Sequence, residues 1–190
     1  MTVKIGVLAL QGGVKEHLNQ LNKIDQVKGV PIKKAEELKS CQGLILPGGE
    51  SSTLKKLINK YHFKKAILNF HDSNKKIWGS CAGLIILAKE IENEESSLGL
   101  LDIKVKRNVF GSQLNSFIYK AKIPAISKHK IEQVFIRAPI ITETAPDIKI
   151  LASYKEQTTA VESKNILATS FHPELTDDLS VHKYFVNKSS

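Results

Sequence analysis

The stretch at residues 75–90, "KKIWGSCAGLIILAKE", decides how the chain folds. Its opening "KKIW" (75–78) is a short apolar segment expected to be a strand, and "LIILAKEI" (84–91) is expected to be a helix. Between them stands Gly79-Ser80-Cys81-Ala82-Gly83, a cysteine between glycines at a strand-to-helix junction. A chain that turns this sharply strains its middle residue. The neighbours must be small, and the middle side chain stands free. The unit this implies is strand–turn–helix.

Two more such units precede it. "VKIGVLAL" (3–10) is a near-continuous apolar run, as a strand buried on both faces requires. After Gly12-Gly13, residues Val14, His17, Leu18 and Leu21 recur at helical spacing. "GLILP" (43–47) is a second buried strand, closed by Pro-Gly-Gly, and Ser51, Ser52 and Thr53 are expected to cap the next helix. Three strand–helix units argue for a sheet that is parallel in the first half. The second half differs: "LDIKVKRN", "NSFIYKAKI", "EQVFIRAP", "IKILAS" and "ILATSF" are short, often alternating strands that suggest antiparallel or mixed pairing. A last helix is expected in "TDDLSVHKYFVNK", capped by Thr176 with Asp177 and Asp178 in its first turn. The fold class expected is α/β, a three-layer α/β/α sandwich on a mixed, largely parallel central sheet.

Bulk properties narrow the class. A length of 190 residues without repeats or linkers points to one domain over 1–190. Two cysteines, Cys41 and Cys81, are too few for a disulfide scaffold. The apolar start is too short for a signal-peptide core, and no run approaches a membrane span, so a cytoplasmic protein without membrane attachment is expected. The net charge of +9 raises nucleic-acid binding. However, Leu54, Leu57, Ile58 and Tyr61 share one helix face, which leaves the neighbouring lysines on the solvated side. Aromatics are only 6% and are not interleaved with basic residues, so no nucleic-acid partner is expected.

The junction carries the chemistry. A helix starting at Cys81 aims its free amides at the sulfur, which favours a thiolate and offers the Ala82 amide to a developing oxyanion. Cys41, in "KSCQG", lacks this setting and reads as packing. A cysteine nucleophile needs a base, and the base an orienting group. Of six histidines, His172 differs from the rest: "SFHPEL" follows a strand, and Pro173 keeps the segment extended, so His172 and Glu174 project the same way. Two such groups without a third ligand make a poor metal site, and no metal is expected. In "LPGGESS" (46–52), Gly48 and Gly49 free backbone amides for an oxyanion, and Glu50 could grip an ammonium group.

"PGGES", "GSCAGL" and "FHPEL", in this order, resemble the triad-type (class I) glutamine amidotransferases. "GVLALQG", "LILPGGESST", "KRNVFGSQLNSF", "VFIRAP" and "SFHPELTDD" narrow the resemblance to the glutaminase subunits of pyridoxal 5′-phosphate synthase. The resemblance covers residues 3 to 185. It implies that Cys81 attacks the carboxamide of L-glutamine, that His172 moves the proton, and that Glu174 orients His172. The oxyanion is met by Ala82 and the Gly48–Gly49 loop, whose peptide tends to flip in this family when the partner binds. Gly49, Glu50, Ser51, Arg107, Ile136 and Arg137 match glutamine-binding positions. Arg107 and Arg137 are the only arginines in the chain, and their fork geometry suits a carboxylate. No cofactor is implied. The partner implied is a separate (β/α)8-barrel synthase subunit assembled as a dodecamer with up to one glutaminase each, which uses the ammonia with ribose 5-phosphate and glyceraldehyde 3-phosphate. Gln11, Gly12, Gly13 and the helix through His17 are expected as docking surface. Departures are small: Ser80 stands where threonine is commoner, Gly13 where alanine is, and "KRNVFGSQ" replaces "RNSFGRQ". Competing readings are another amidotransferase of the same class, a peptidase-like cysteine hydrolase, and a silent regulatory subunit; the intact triad disfavours the last.

Overall fold

The computed structural model describes residues 2–107 and 116–190. Strands and helices alternate at first: β1 (Val3–Leu8), α1 (Val14–Leu21), β2 (Val27–Ile32), β3 (Gly43–Leu46), α2 (Ser51–Lys60), α3 (Phe63–Asp72), β4 (Lys76–Ser80), α4 (Ala82–Leu87) and β5 (Ala88–Ile91). Strands then dominate: β6 (Leu101–Lys106), β7 (Ser116–Lys122), β8 (Lys130–Ile136), β9 (Ile140–Thr144), β10 (Lys149–Tyr154), β11 (Gln157–Glu162) and β12 (Ile166–Thr169), closed by α5 (Ser180–Ser189). The main sheet runs β2-β1-β3-β4-β12-β11-β9-β6-β5, with β10 on β11, and β7 and β8 form a separate hairpin. Strands β2 to β12 along that order are mutually parallel, while β11 and β9 pair antiparallel to their neighbours. The mixed sheet between helical layers is the expected class.

Alternation along the central strands divides the core in two. Leu44 and Leu46 of β3, Ile77 of β4 and Ile166 of β12 face one layer with α2, α3 and α4. Ile45, Trp78 and Leu167, one residue over, face the other with α1 and α5. β4 lies mid-sheet, between β3 and β12, with Leu46 opposite Gly79 and Thr169 opposite Ser80. The nucleophile candidate therefore leaves the sheet at its most buttressed point.

Several expectations need correction. The helix expected over 84–91 stops at Leu87, and the next four residues are a strand paired with β6. All six residues of α4 are buried, so one more turn would carry Lys89 and Glu90 into the core. Extended backbone instead leaves both exposed while Ala88 and Ile91 stay inside. The cap of α2 is Glu50, whose carboxylate accepts from the Ser52 and Thr53 amides; the expected hydroxyl caps are not used. Thr176 does not cap α5 either. Asp178 accepts from the Ser180 amide at 2.7 Å, while Thr176 bonds within its own turn. Strand β2 escaped the sequence pattern because it contains Gly29 and Pro31, which its place at the sheet edge tolerates. Of the expected motif at 106–117, residues 108–115 lie outside the described residues.

Glycine at the junction answers a steric demand. A Cβ on Gly83 would lie 2.0 Å from the carbonyl oxygen of Leu46, and one on Gly79 2.5 Å from the Gly83 backbone. Both obstacles are backbone and cannot rotate away. Gly83→Ala is expected to destabilise the fold by about 2–3 kcal/mol, read as a lower urea midpoint at unchanged m-value. A variant as stable as the parent would show that α4 can lift off β3 freely.

Candidate active site

Cys81 sits at the tip of β4 with φ 48° and ψ −101°, a conformation that L-residues avoid. Its amide donates to the Thr169 carbonyl at 2.8 Å, which pins the turn to β12. That same strand leads into the base. The His172 amide donates to Val134 of β8 at 2.8 Å, and His172 Nδ1 lies 2.7 Å from Glu174 Oε1. The structure thus brings Cys81, His172 and Glu174 together as the sequence proposed. Cys41 is remote from the cleft, and burial pushes its thiol up.

Electrostatics support a charged base. Burial alone would strip the proton from His172. Its hydrogen bonds with Cys81 and Glu174 outweigh that and carry its pKa to about 10. Burial likewise opposes charge on Glu174, but the rings of His17 and His172 hold its carboxyl below the usual range. The pair is an imidazolium held by a carboxylate beside the thiol.

The cleft above Cys81 has a volume of about 260 Å³ and is lined by Gly49, Glu50, Ser51, Ala82, Arg107, Ile136 and Arg137, together with Cys81 and His172. All six expected substrate-binding residues are in this lining. Arg137 has φ 42°, so the cleft holds two strained non-glycine residues. Sequence reading missed Ile85, which also lines it, and Glu94. The Arg107 guanidinium donates to both Glu94 oxygens at 2.7 and 2.9 Å and lies 3.4 Å from Glu50. Nothing in the acidic run at 92–95 singled Glu94 out. Glu50 is held ionised: hydrogen bonds from Thr53 and Ser52 bring its pKa to about 2.

The oxyanion donors are narrower than expected. Ala82 opens α4, so its amide has no partner within the helix. Gly48 is not a free donor, because its N–H goes to Ser80 Oγ at 3.0 Å. A Cβ there would lie 2.4 Å from His172, so Gly48 makes room for the base instead. The Gly48 carbonyl accepts from Gly13 at 3.1 Å, so across the planar peptide the Gly49 N–H points the opposite way. Gln11 Oε1 accepts from Glu50 N–H at 3.1 Å, which places residues 11–13 against this loop. His17 cannot be docking surface: it is wholly buried, 3.4 Å from Glu174 and 3.1 Å from Ser80.

Residues 7–190 match the model of the SNO glutamine amidotransferase family. The chain belongs to that family. It is 48% identical over 187 residues to the pyridoxal 5′-phosphate synthase subunit PdxT of Clostridium botulinum, covering 98% of this chain and 97% of that one. It is 49% identical over 189 residues to the subunit of the same name from a Thermoanaerobacter species, covering 99% and 100%. A crystal structure of a glutamine amidotransferase superposes with TM-score 0.91 at 36% identity over 97% of this chain and 98% of that one. PurLQS from Thermotoga maritima, 17% identical with TM-score 0.71 and full coverage of both chains, shares the fold.

The pair has a pH signature. His172, raised above its ordinary 6.5, contributes stability below that pH and loses it as pH climbs toward about 10. Glu174, held below its ordinary 4.5, contributes above that value and loses its share on acidification. Both act together between the two ordinary values. The urea midpoint is expected to fall from about pH 6 to about pH 9 more steeply in the parent than in Glu174→Gln. Parallel slopes would contradict the pairing.

Proposed function

We propose that the chain is the glutaminase subunit of a pyridoxal 5′-phosphate synthase, acting as one glutamine amidotransferase domain through Cys81, His172 and Glu174. The observation that carries this reading is the strained Cys81 set beside the His172–Glu174 pair, at the floor of a cleft holding both arginines. The Cys81 thiolate attacks the side-chain amide carbon of glutamine, forming a C–S bond. The oxyanion is met by the Ala82 and Gly49 amides. As the C–N bond breaks, His172 gives its proton to the departing nitrogen, and ammonia leaves. A water then loses a proton to His172 and attacks the thioester; a C–O bond forms, the C–S bond breaks, and glutamate is released. Arg107 and Arg137 hold the α-carboxylate of glutamine, and the ionised Glu50 faces its ammonium.

Ammonia released to water is protonated and lost, so the product calls for a partner. The partner is a (β/α)8-barrel synthase subunit, in an assembly of a synthase dodecamer with up to one glutaminase per subunit. The exposed Gly12 and Lys15, with Gln11 and Gly13, form the docking edge. A partner pressing on it acts on the oxyanion loop through the Gly13–Gly48 and Gln11–Glu50 hydrogen bonds.

Glutamate release is expected to be weak from the chain alone, to rise by about tenfold or more with the synthase subunit, and to vanish in Cys81→Ala. Turnover in Cys81→Ala would refute the mechanism. Lys15→Glu is expected to weaken complex formation; unchanged binding and activity would move the docking edge elsewhere. Arg107→Ala is expected to raise KM for glutamine by about tenfold with a smaller change in kcat.

A further inference from the structure

Behind the triad lies a second set of buried titratable groups that the reaction above does not use. His17 reaches in from α1 and His182 from α5, and both are wholly buried. His17 Nδ1 lies 3.0 Å from His182 Nε2, and His17 Nε2 lies 3.1 Å from Ser80 Oγ and 3.4 Å from Glu174 Oε2. Trp78 walls the pair off, with its ring edge-on to His17 at 5.1 Å and to His182 at 4.8 Å. Among the described residues, Glu174 Oε2 and His182 Nδ1 have no hydrogen-bond partner.

One arrangement of protons suits all of these atoms. An ionised carboxylate only accepts, so a lone pair on His17 Nε2 would face it repulsively. Nε2 therefore carries the proton and donates it to Ser80 Oγ, with the positive end of that N–H dipole 3.4 Å from Glu174 Oε2. Nδ1 is then the acceptor, and His182 Nε2–H donates to it. The unpartnered His182 Nδ1 is left as a bare lone pair, which is cheaper to bury than an orphaned N–H. The charged and titratable groups facing this pair are Glu16 on α1, His172 and Glu174 after β12, and each ring toward the other. Burial keeps both rings neutral, so they act as oriented dipoles.

We propose that His17, held in this tautomer by His182, is a positioning residue of glutamine hydrolysis: its Nε2–H faces the inner oxygen of Glu174 and keeps that carboxylate ionised and aimed at His172. The inference rests on the triad reading of Cys81, His172 and Glu174. His172 satisfies only one carboxylate oxygen. Without that N–H dipole beside the other oxygen, a dry carboxylate drifts toward its neutral form, and His172 loses the counter-charge that holds its imidazolium beside the Cys81 sulfur. From His17 one route runs through Glu174 and His172 to the sulfur and a second through Ser80 Oγ to the Gly48 amide; neither includes Arg107 or Arg137, so substrate affinity stays outside both.

The test compares His17→Gln, whose amide nitrogen stands near the Nε2 position, with His17→Asn, whose amide stands near Nδ1 and meets His182 instead. With the synthase subunit present, kcat of His17→Asn is expected to fall about tenfold or more while KM for glutamine stays within about twofold, and His17→Gln is expected to stay within about threefold of the parent. A second readout needs no turnover: the pH midpoint for alkylation of Cys81 by iodoacetamide is expected to move up in His17→Asn and not in His17→Gln. Equal losses in both variants, in proportion to their folded fractions and with an unmoved alkylation midpoint, would reduce His17 to packing and overturn the proposal. Should His17→Asn not fold, His182→Leu removes the donor that fixes the tautomer; a kcat loss of about threefold with the same upward midpoint supports the proposal, and a parental profile overturns it. Cys81→Ala separates the two readings. Its inactivity beside a parental His17→Asn refutes the role of His17 alone, whereas its activity refutes the triad.

Discussion

Everything at the active end depends on how closely α4 can approach β3. Gly83 lies so near the Leu46 carbonyl that no side chain fits, and Gly79 meets the Gly83 backbone in the same way. This contact bends the chain at Cys81 into a positive φ, which turns the sulfur out of the sheet and leaves the Ala82 amide without a helical partner. Strain at one residue is tolerated because β4 is flanked by β3 and β12 and its turn is tied to Thr169. The same constraint ends α4 early, since a helix driven this deep has no solvated face for Lys89 and Glu90.

A buried carboxylate is the second fixed point. Glu174 keeps its charge in a dry setting because imidazole rings meet it from two sides, one from its own segment and one from α1. Ser80 joins that group to the oxyanion loop through the Gly48 amide, so base, orienting group and loop share one hydrogen-bonded set. Gly13 adds to the crowding, since a Cβ there would stand 3.2 Å from Glu174 Oε1.

Much of this was legible in the sequence. The glycines around Cys81, the His172-Pro173-Glu174 spacing and the two lone arginines are short-range signals, and each led to a residue in or beside one cleft. Long-range relations left no such mark. The helical spacing of Val14, His17, Leu18 and Leu21 already placed His17 on a core face, which conflicts with docking, and burial prevailed because α5 covers that face. Glu94 meets Arg107 only through folding, and nothing local distinguishes it from its acidic neighbours. The Gly48 amide looked free because Ser80, thirty-two positions away, accepts it only once β3 and β4 are side by side. Strand β2 hid behind Gly29 and Pro31, residues that an edge position allows.

Trp78 is the only tryptophan in the chain. It is wholly buried, its indole N–H is taken by Thr169, and its ring stands against both His17 and His182. The chain therefore carries a single indole fluorophore, excitable to the red of its four tyrosines, at the back of its catalytic groups, one strand position from Gly79 and far from solvent. Its emission reports on those two rings, on Phe185 beside them and on the Thr169 hydrogen bond, an optical window onto the interior of the site that requires no label.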